Sequence, residues 1–259
     1  MKKLLITIAL LWSVTFVTWG WTVPDQRLSY NVSFKWGMID ANMGVANIAT
    51  FNIPGENRFL AHLSGESVKI LTHRYVAEAS IKGTLIAGEL SPGVNCVTIC
   101  NEKGMFAIET ITKDIEGPSK LGPVTNRLSN GEVVRSRVSN YGSGLTLDLL
   151  GVYYYIRQID YSTSTPGQKY HFCISNGSQN DLLDIEYLGK ENLDDYGETF
   201  HISFSFTSRS SGKADTMQAW ISTSDSRIPL VINGSLSIGH ITCRYLDSTP
   251  ILSLPEAIF

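Results

Sequence analysis

Five histidines, four cysteines and 24 acidic side chains have the most chemical reach in this 259-residue sequence. His62, His73, His171, His201 and His240 lack the i, i+4 spacing that puts two zinc ligands on one helix face. His171 would share a strand face with Cys173 and with Ser175, the start of a base and nucleophile pair. Such pairs are assembled in space, however, and two-residue spacings recur by chance. His201 alternates with phenylalanines and reads as a solvent-face residue. Gly142-Ser143-Gly144 lacks the flanking pattern of a nucleophile elbow, and Gly234-Ser235 has no glycine two residues on. Carboxylates gather at Asp181, Asp184 and Glu186, and again at Glu191, Asp194 and Asp195. Neither group has the alternating acids and central glycine of a calcium loop, and 191 to 198 reads as a solvated loop. No catalytic residue, metal site or cofactor motif follows. A glycan hydrolase stays open as an alternative, because paired carboxylates can come from any strands of a β scaffold.

Residues 1 to 20 place Lys2 and Lys3 ahead of an uncharged apolar run from Leu4 to Val17, the layout of a cleavable signal peptide. That run is shorter than the ~20 residues a membrane-crossing helix needs, so the expected mature form, 21 to 259, has no transmembrane span. No cysteine lies near this end to carry a lipid anchor. A periplasmic or secreted location would permit disulfides among Cys96, Cys100, Cys173 and Cys243. On one extended strand Cys96 and Cys100 would stand about 13 Å apart, too far for a bridge without a bulge or turn. Buried free thiols are the other reading.

The elements that must position these groups read as strands. Leu28, Tyr30, Val32, Phe34 and Trp36 alternate with Ser29, Asn31, Ser33 and Lys35, and Phe200, Ile202, Phe204 and Phe206 alternate with His201, Ser203 and Ser205. Comparable runs lie at 42–52, 77–87, 94–100, 105–113, 131–139, 169–175, 182–189, 214–222, 228–232 and 235–246. Alternation of this kind belongs to antiparallel sheets with one wet face. Asn101 to Gly104 reads as a hairpin loop and Ser222 to Arg227 as a polar connection. The stretch 114 to 130, with two Gly-Pro pairs, reads as an exposed connection and hinge. Two segments depart from the β pattern. Residues 68 to 76 suit a short helix or a strand. In 145 to 161, Leu149, Val152, Tyr153 and Ile156 have helical spacing, while Gly151 and three tyrosines favour a strand.

Hydrophobic residues make up 43 % and charged ones 17 %, enough apolar material for a large core, and the net charge of −3 argues against a nucleic-acid partner.

Asp148, Leu149, Tyr153 to Tyr155 and Arg157, followed by 219 to 232 with Trp220, Ser222, Asp225, Arg227 and Pro229, resemble an exported bacterial family, domain of unknown function 3108. Residues 28 to 48 resemble its opening hairpin, and Leu90-Ser91-Pro92 a Leu-x-Pro after a strand. The resemblance implies an envelope location, a β-rich fold and a helical 145 to 157, and it brings no activity. The implied architecture is similar to half-open β-barrel carriers of lipoproteins, an analogy of fold alone.

The expectation is one β-rich exported domain over 21 to 259, mainly β, with a curved antiparallel sheet or half-open barrel and one or two short helices. Its ligand would be a lipid, acyl chain or lipoprotein segment in an apolar concavity; a docking module for another envelope protein is the alternative. Trp220, Arg157, Tyr153 and Tyr154 are the candidate binding residues. Core anchoring is the structural reading of Trp220, and a bond to the helix end or a ring that of Arg157.

Overall fold

The computed structural model describes residues 24–251 apart from 57, 68–75, 87–88, 92–95, 103–104, 114–118, 129–132, 141–145, 148, 176–179, 208–213 and 237–238. The signal-peptide reading of 1 to 20, and all but the last residue of the 68 to 76 segment, lie outside them.

The described chain is built from sixteen strands and one helix. In chain order they are β1 Gln26–Trp36, β2 Ile39–Asn52, β3 Arg58–Ser67, β4 Val76–Ile86, β5 Glu89–Ser91, β6 Cys96–Glu102, β7 Met105–Lys113, β8 Ser119–Leu128, β9 Val133–Asn140 and β10 Thr146–Leu147. Helix α1 Leu149–Gln158 comes next, then β11 Lys169–Ser175, β12 Asn180–Leu193, β13 Gly197–Thr207, β14 Ala214–Ser222, β15 Pro229–Leu236 and β16 Gly239–Pro250. All the strands join one sheet in the order β10-β11-β12-β13-β14-β15-β16-β1-β2-β3-β4-β6-β7-β8-β9, with β5 beside β4. Every pairing is antiparallel except the short parallel contact of β10 with β11. The ends of this order, β9 and β10, do not pair, so the sheet is open. Only 141–145 separate them in the chain, which holds Asn140 and Thr146 within about 20 Å.

The helix shows that the sheet curls. On one side Tyr153 and Tyr154 meet β1, β2 and β3: the Tyr30 and Tyr153 hydroxyls are 3.1 Å apart, Tyr154 bonds Thr50, and the Phe59 and Tyr154 rings are 5.2 Å apart. On the other side Val152 and Ile156 pack with Leu183, Ile185, Ile202 and Ala219 of β12 to β14. In a flat sheet seven strand spacings, about 34 Å, would separate β12 from β3, three times the width of a helix. Strands that far apart in the order reach one helix because the sheet wraps round it. Enclosure also explains the helix composition. Leu150, Val152, Tyr153, Tyr154, Ile156 and Arg157 are all buried, so the apolar stripe expected on one face extends almost all the way round.

Three sequence readings need correction. The supposed hinge at 114 to 130 contains β8, and its pairing with β9 shifts register between Leu121 and Val124, where Gly122-Pro123 falls. A proline has no N–H for the ladder and survives in a strand at such an irregularity. Strand β3 had no counterpart among the expected strands, because Phe59, Leu60 and Ala61 are buried in succession and show no alternation. The break expected at 233–234 is absent: β15 runs through Asn233-Gly234 and the hairpin joins Leu236 to Gly239. The hairpin after Asn101 forms as expected, with Glu102 opposite Met105. Cys96 and Cys100 lie on one regular strand, which keeps their backbones too far apart to bridge.

Candidate functional site

The two stretches that carry the family resemblance meet in space. After β14 the chain makes a tight loop in which the Arg227 amide donates to the Ser224 carbonyl and the Ser222 amide to Ile228. Arg227 takes φ +44°, a left-handed conformation that costs a side-chain-bearing residue about 1 kcal/mol. That turn aims its guanidinium at the end of α1. Arg227 Nη1 donates to the carbonyls of Gln158 (3.0 Å) and Ile159 (2.8 Å), and Nη2 lies 3.2 Å from Asp160 Oδ1. Asp160 is held below its ordinary pKa, first by the Ser162 hydroxyl and also by Arg227. In return Arg157, 0 % exposed, donates from Nε and Nη2 to the Ser226 carbonyl at 3.3 and 2.8 Å, and its guanidinium lies 5.4 Å from the Tyr153 ring centre. Helix and loop thus clasp each other, each arginine serving the other's backbone carbonyls. The Tyr161 hydroxyl bonds Ile156 O and satisfies another carbonyl of the last turn.

Arg157, Tyr153 and Tyr154 therefore come together inside the plug formed by α1. Arg157 and Tyr154 present no surface to a ligand. Burial pushes the hydroxyls of Tyr30 and Tyr153 above their ordinary range, so both stay neutral hydrogen-bonding groups.

Trp220 is placed elsewhere. It is 8 % exposed, but it lies on the opposite face of the sheet from Phe200, Ile202 and Phe204, since its strand neighbours Ala219 and Ile221 are the ones that face the helix. Its indole stacks on His201 (4.5 Å, 12°) and donates to Glu191 Oε2 at 2.8 Å; the same oxygen lies 2.8 Å from His201 Nδ1. Burial lowers the His201 pKa against the opposing pull of Glu191. Glu191, read in sequence as part of a loop, lies on β12 and ties β13 and β14 together from outside. Nothing in its spacing announces this, because its partners lie ten and twenty-nine residues away.

Three further carboxylates of the two clusters also pair on the outer side: Asp184 with His171 (2.6 Å), Glu186 with Lys169 (3.4 Å) and Asp195 with Arg244 (3.7 Å), while Asp194 is exposed. Among the described residues no group of three or more His, Cys, Asp or Glu is arranged to hold a metal ion.

The surface a ligand could reach from inside lies beyond the helix. On β1, Leu28 and Tyr30 are buried while Val32 and Phe34, on the same face, are half-buried. The same change occurs along β13 from Phe204 to Phe206, along β14 from Ala219 to Met217, and along β3 from Ala61 to Leu63. Ile241 and Cys243 on β16 and Ile232 on β15 are half-buried too. The register aligns these positions: Phe34 faces Ile241, Ile241 faces Gly234, and Gly234 faces Met217. One end of the curled sheet is thus filled by α1, and the other keeps a partly exposed, mainly apolar wall, with Asp215 opposite Phe206 at the register step after Met217. Cys243, a free thiol on that wall, is pushed up to about 11 by burial and stays neutral.

Residues 124–244 match the family described as "Protein of unknown function (DUF3108)", the family that the sequence resembles. Among solved structures, a "Beta-barrel-like Protein of Domain of Unknown Function DUF1849" from Brucella abortus aligns over 88 % of this chain and 98 % of its own, with a TM-score of 0.59 at 6 % identity. That likeness shows the fold alone, an open, mainly antiparallel barrel-like sheet. The Mycobacterium tuberculosis lipoprotein LppX aligns over 88 % of this chain and 89 % of its own at 12 % identity, with a TM-score of 0.26, too low to argue from. No curated protein matches the chain. No helix among the described residues is long and apolar enough to cross a membrane.

Proposed function

We propose that this protein is an exported, non-enzymatic envelope protein, and that the wall beyond α1 binds a lipid or acyl chain. The observation that carries the reading is the gradient along the inner face: on β1, β3, β13 and β14 the same row of side chains passes from buried beneath the helix to half-buried beyond it. Apolar area left at a concave surface gains roughly 25 cal/mol per Å² when a ligand removes it from water. A concavity of apolar side chains on a preformed scaffold is the ordinary setting for such a ligand. Export rests on the basic and apolar layout of residues 1 to 20.

The test is native mass spectrometry of the full chain purified from cells, followed by organic extraction. Bound species that disappear on extraction and prove to be acyl lipids support the reading. A bare polypeptide mass that stays bare after incubation with vesicles of the cell's own lipids overturns it.

A further inference from the structure

Gly234 forms the floor of the apolar wall. A Cβ built there would fall 2.8 Å from Met217 Cε, 3.3 Å from Met217 Cγ and 3.1 Å from Ile241 Cγ2, so the thioether of Met217 lies directly on the glycine backbone. Met217 is nonetheless half-buried, one step along the same face of β14 from the buried Ala219. An unbranched side chain with three rotatable bonds and a soft sulfur repacks at little cost. Moving it off Gly234 would deepen the concavity by the thickness of a side chain, whereas a β-branched residue, stiff at its first torsion, would fix the floor in place. The neighbours Phe34, Phe206, Ile232 and Ile241 carry no charge, and Cys243 stays protonated. Asp215, opposite Phe206 at the next register step, is itself acidic and gives an anionic head no counter-charge, so the wall suits the hydrocarbon end.

We infer that the ligand is an acyl chain that enters hydrocarbon end first with its polar head left outside, and that Met217, seated on Gly234, sets the chain length accepted. This inference rests on the apolar-ligand reading above. The full chain, stripped of lipid, is offered an equimolar mixture of laurate, myristate, palmitate and stearate, and the acids retained are extracted and counted by mass spectrometry. Met217→Ala shifts the retained set toward stearate, by about fourfold for each methylene newly buried. Met217→Phe shifts it toward laurate, as does Gly234→Ala, whose new methyl pushes the Met217 tip inward. Met217→Leu, of similar volume, keeps the wild-type preference. Melting curves identify the variants that fold, and any two folded variants with opposite expected shifts decide the matter. Uptake of no acid by the wild type would overturn the apolar-ligand reading itself. Uptake with the same length distribution in all folded variants would overturn the role of Met217 and leave that reading standing.

Discussion

Replacing Arg227 tests whether the clasp between loop and helix stabilises the fold. Arg227→Ala removes two hydrogen bonds from a cation to the Gln158 and Ile159 carbonyls and the contact with Asp160. Bonds to charged groups contribute about 1.5–3 kcal/mol each, and a cation at a helix C-terminus up to about 2 kcal/mol. The side chain of Arg227 keeps 21 % of its surface in water, so the low end applies and the expected loss is about 3 kcal/mol. The backbone supplies a second, independent signal. At φ +44° a glycine is relaxed where alanine is strained, so Arg227→Gly should recover about 1 kcal/mol of that loss although it deletes the same bonds. Urea titrations of the three proteins, compared at equal slope, measure both effects. An alanine variant within about 0.5 kcal/mol of wild type would show that the guanidinium is only solvated. A glycine variant less stable than the alanine one would show that the left-handed turn imposes no strain.

Arg157→Lys keeps the charge but loses the fork that gives Ser226 O two donors, so its midpoint in the same titration should fall, whereas an unchanged midpoint would contradict the clasp. Trp220→Phe removes the N–H that holds Glu191 and should cost about 1 kcal/mol, against about 3–5 kcal/mol for Trp220→Ala; a Phe variant as stable as wild type would mean that the indole bond contributes nothing. Because the folded pKa of His201 is lowered, the unfolded chain binds its proton first. Stability is therefore full above the unfolded value of about 6.5 and declines as pH falls toward the lower folded value. Melting temperatures between about pH 7 and 5 should show that slope, and His201→Gln should flatten it. Cys243, with its thiol pushed up to about 11, should resist a thiol reagent at mildly alkaline pH until the chain unfolds, as peptide mapping of the labelled protein would show.

Strands whose two faces meet different surroundings were legible in the sequence. Phe200 to Phe206 and Leu28 to Phe34 have one inner and one outer row, and period-two alternation found both. Segments with both faces covered escaped, as β3 did with Phe59, Leu60 and Ala61. Turn chemistry misled where a special residue serves packing. The gap left between strands at 233–234 was misplaced as well, because the glycine there makes room for Met217 and Ile241 within a strand. Gly122-Pro123 likewise marks a register shift and not a hinge. For the candidate site, the spacing left α1 open between helix and strand until the family resemblance decided it, and the turn residues marked the polar loop, but nothing joined the two, because the bonds from Arg157 to Ser226 and from Arg227 to Gln158 each span 69 residues. The half-buried wall was visible only as one face of several strands, since its accessibility depends on where the helix stops.

The pairing of β1 with β16 shapes how this chain reaches its native state. Gln26 lies opposite Pro250, so the central seam of the sheet joins strands separated by nearly the whole described chain. Contacts so distant in sequence must overcome a large loop-closure entropy before they contribute, and domains dominated by them fold slowly. During synthesis β1 emerges first and its partner last, so one edge of β1 waits unpaired until the rest of the sheet has been made. A chain in that condition is prone to aggregate but suited to threading through a narrow channel, because the seam that locks the sheet forms only when both of its strands are on the same side.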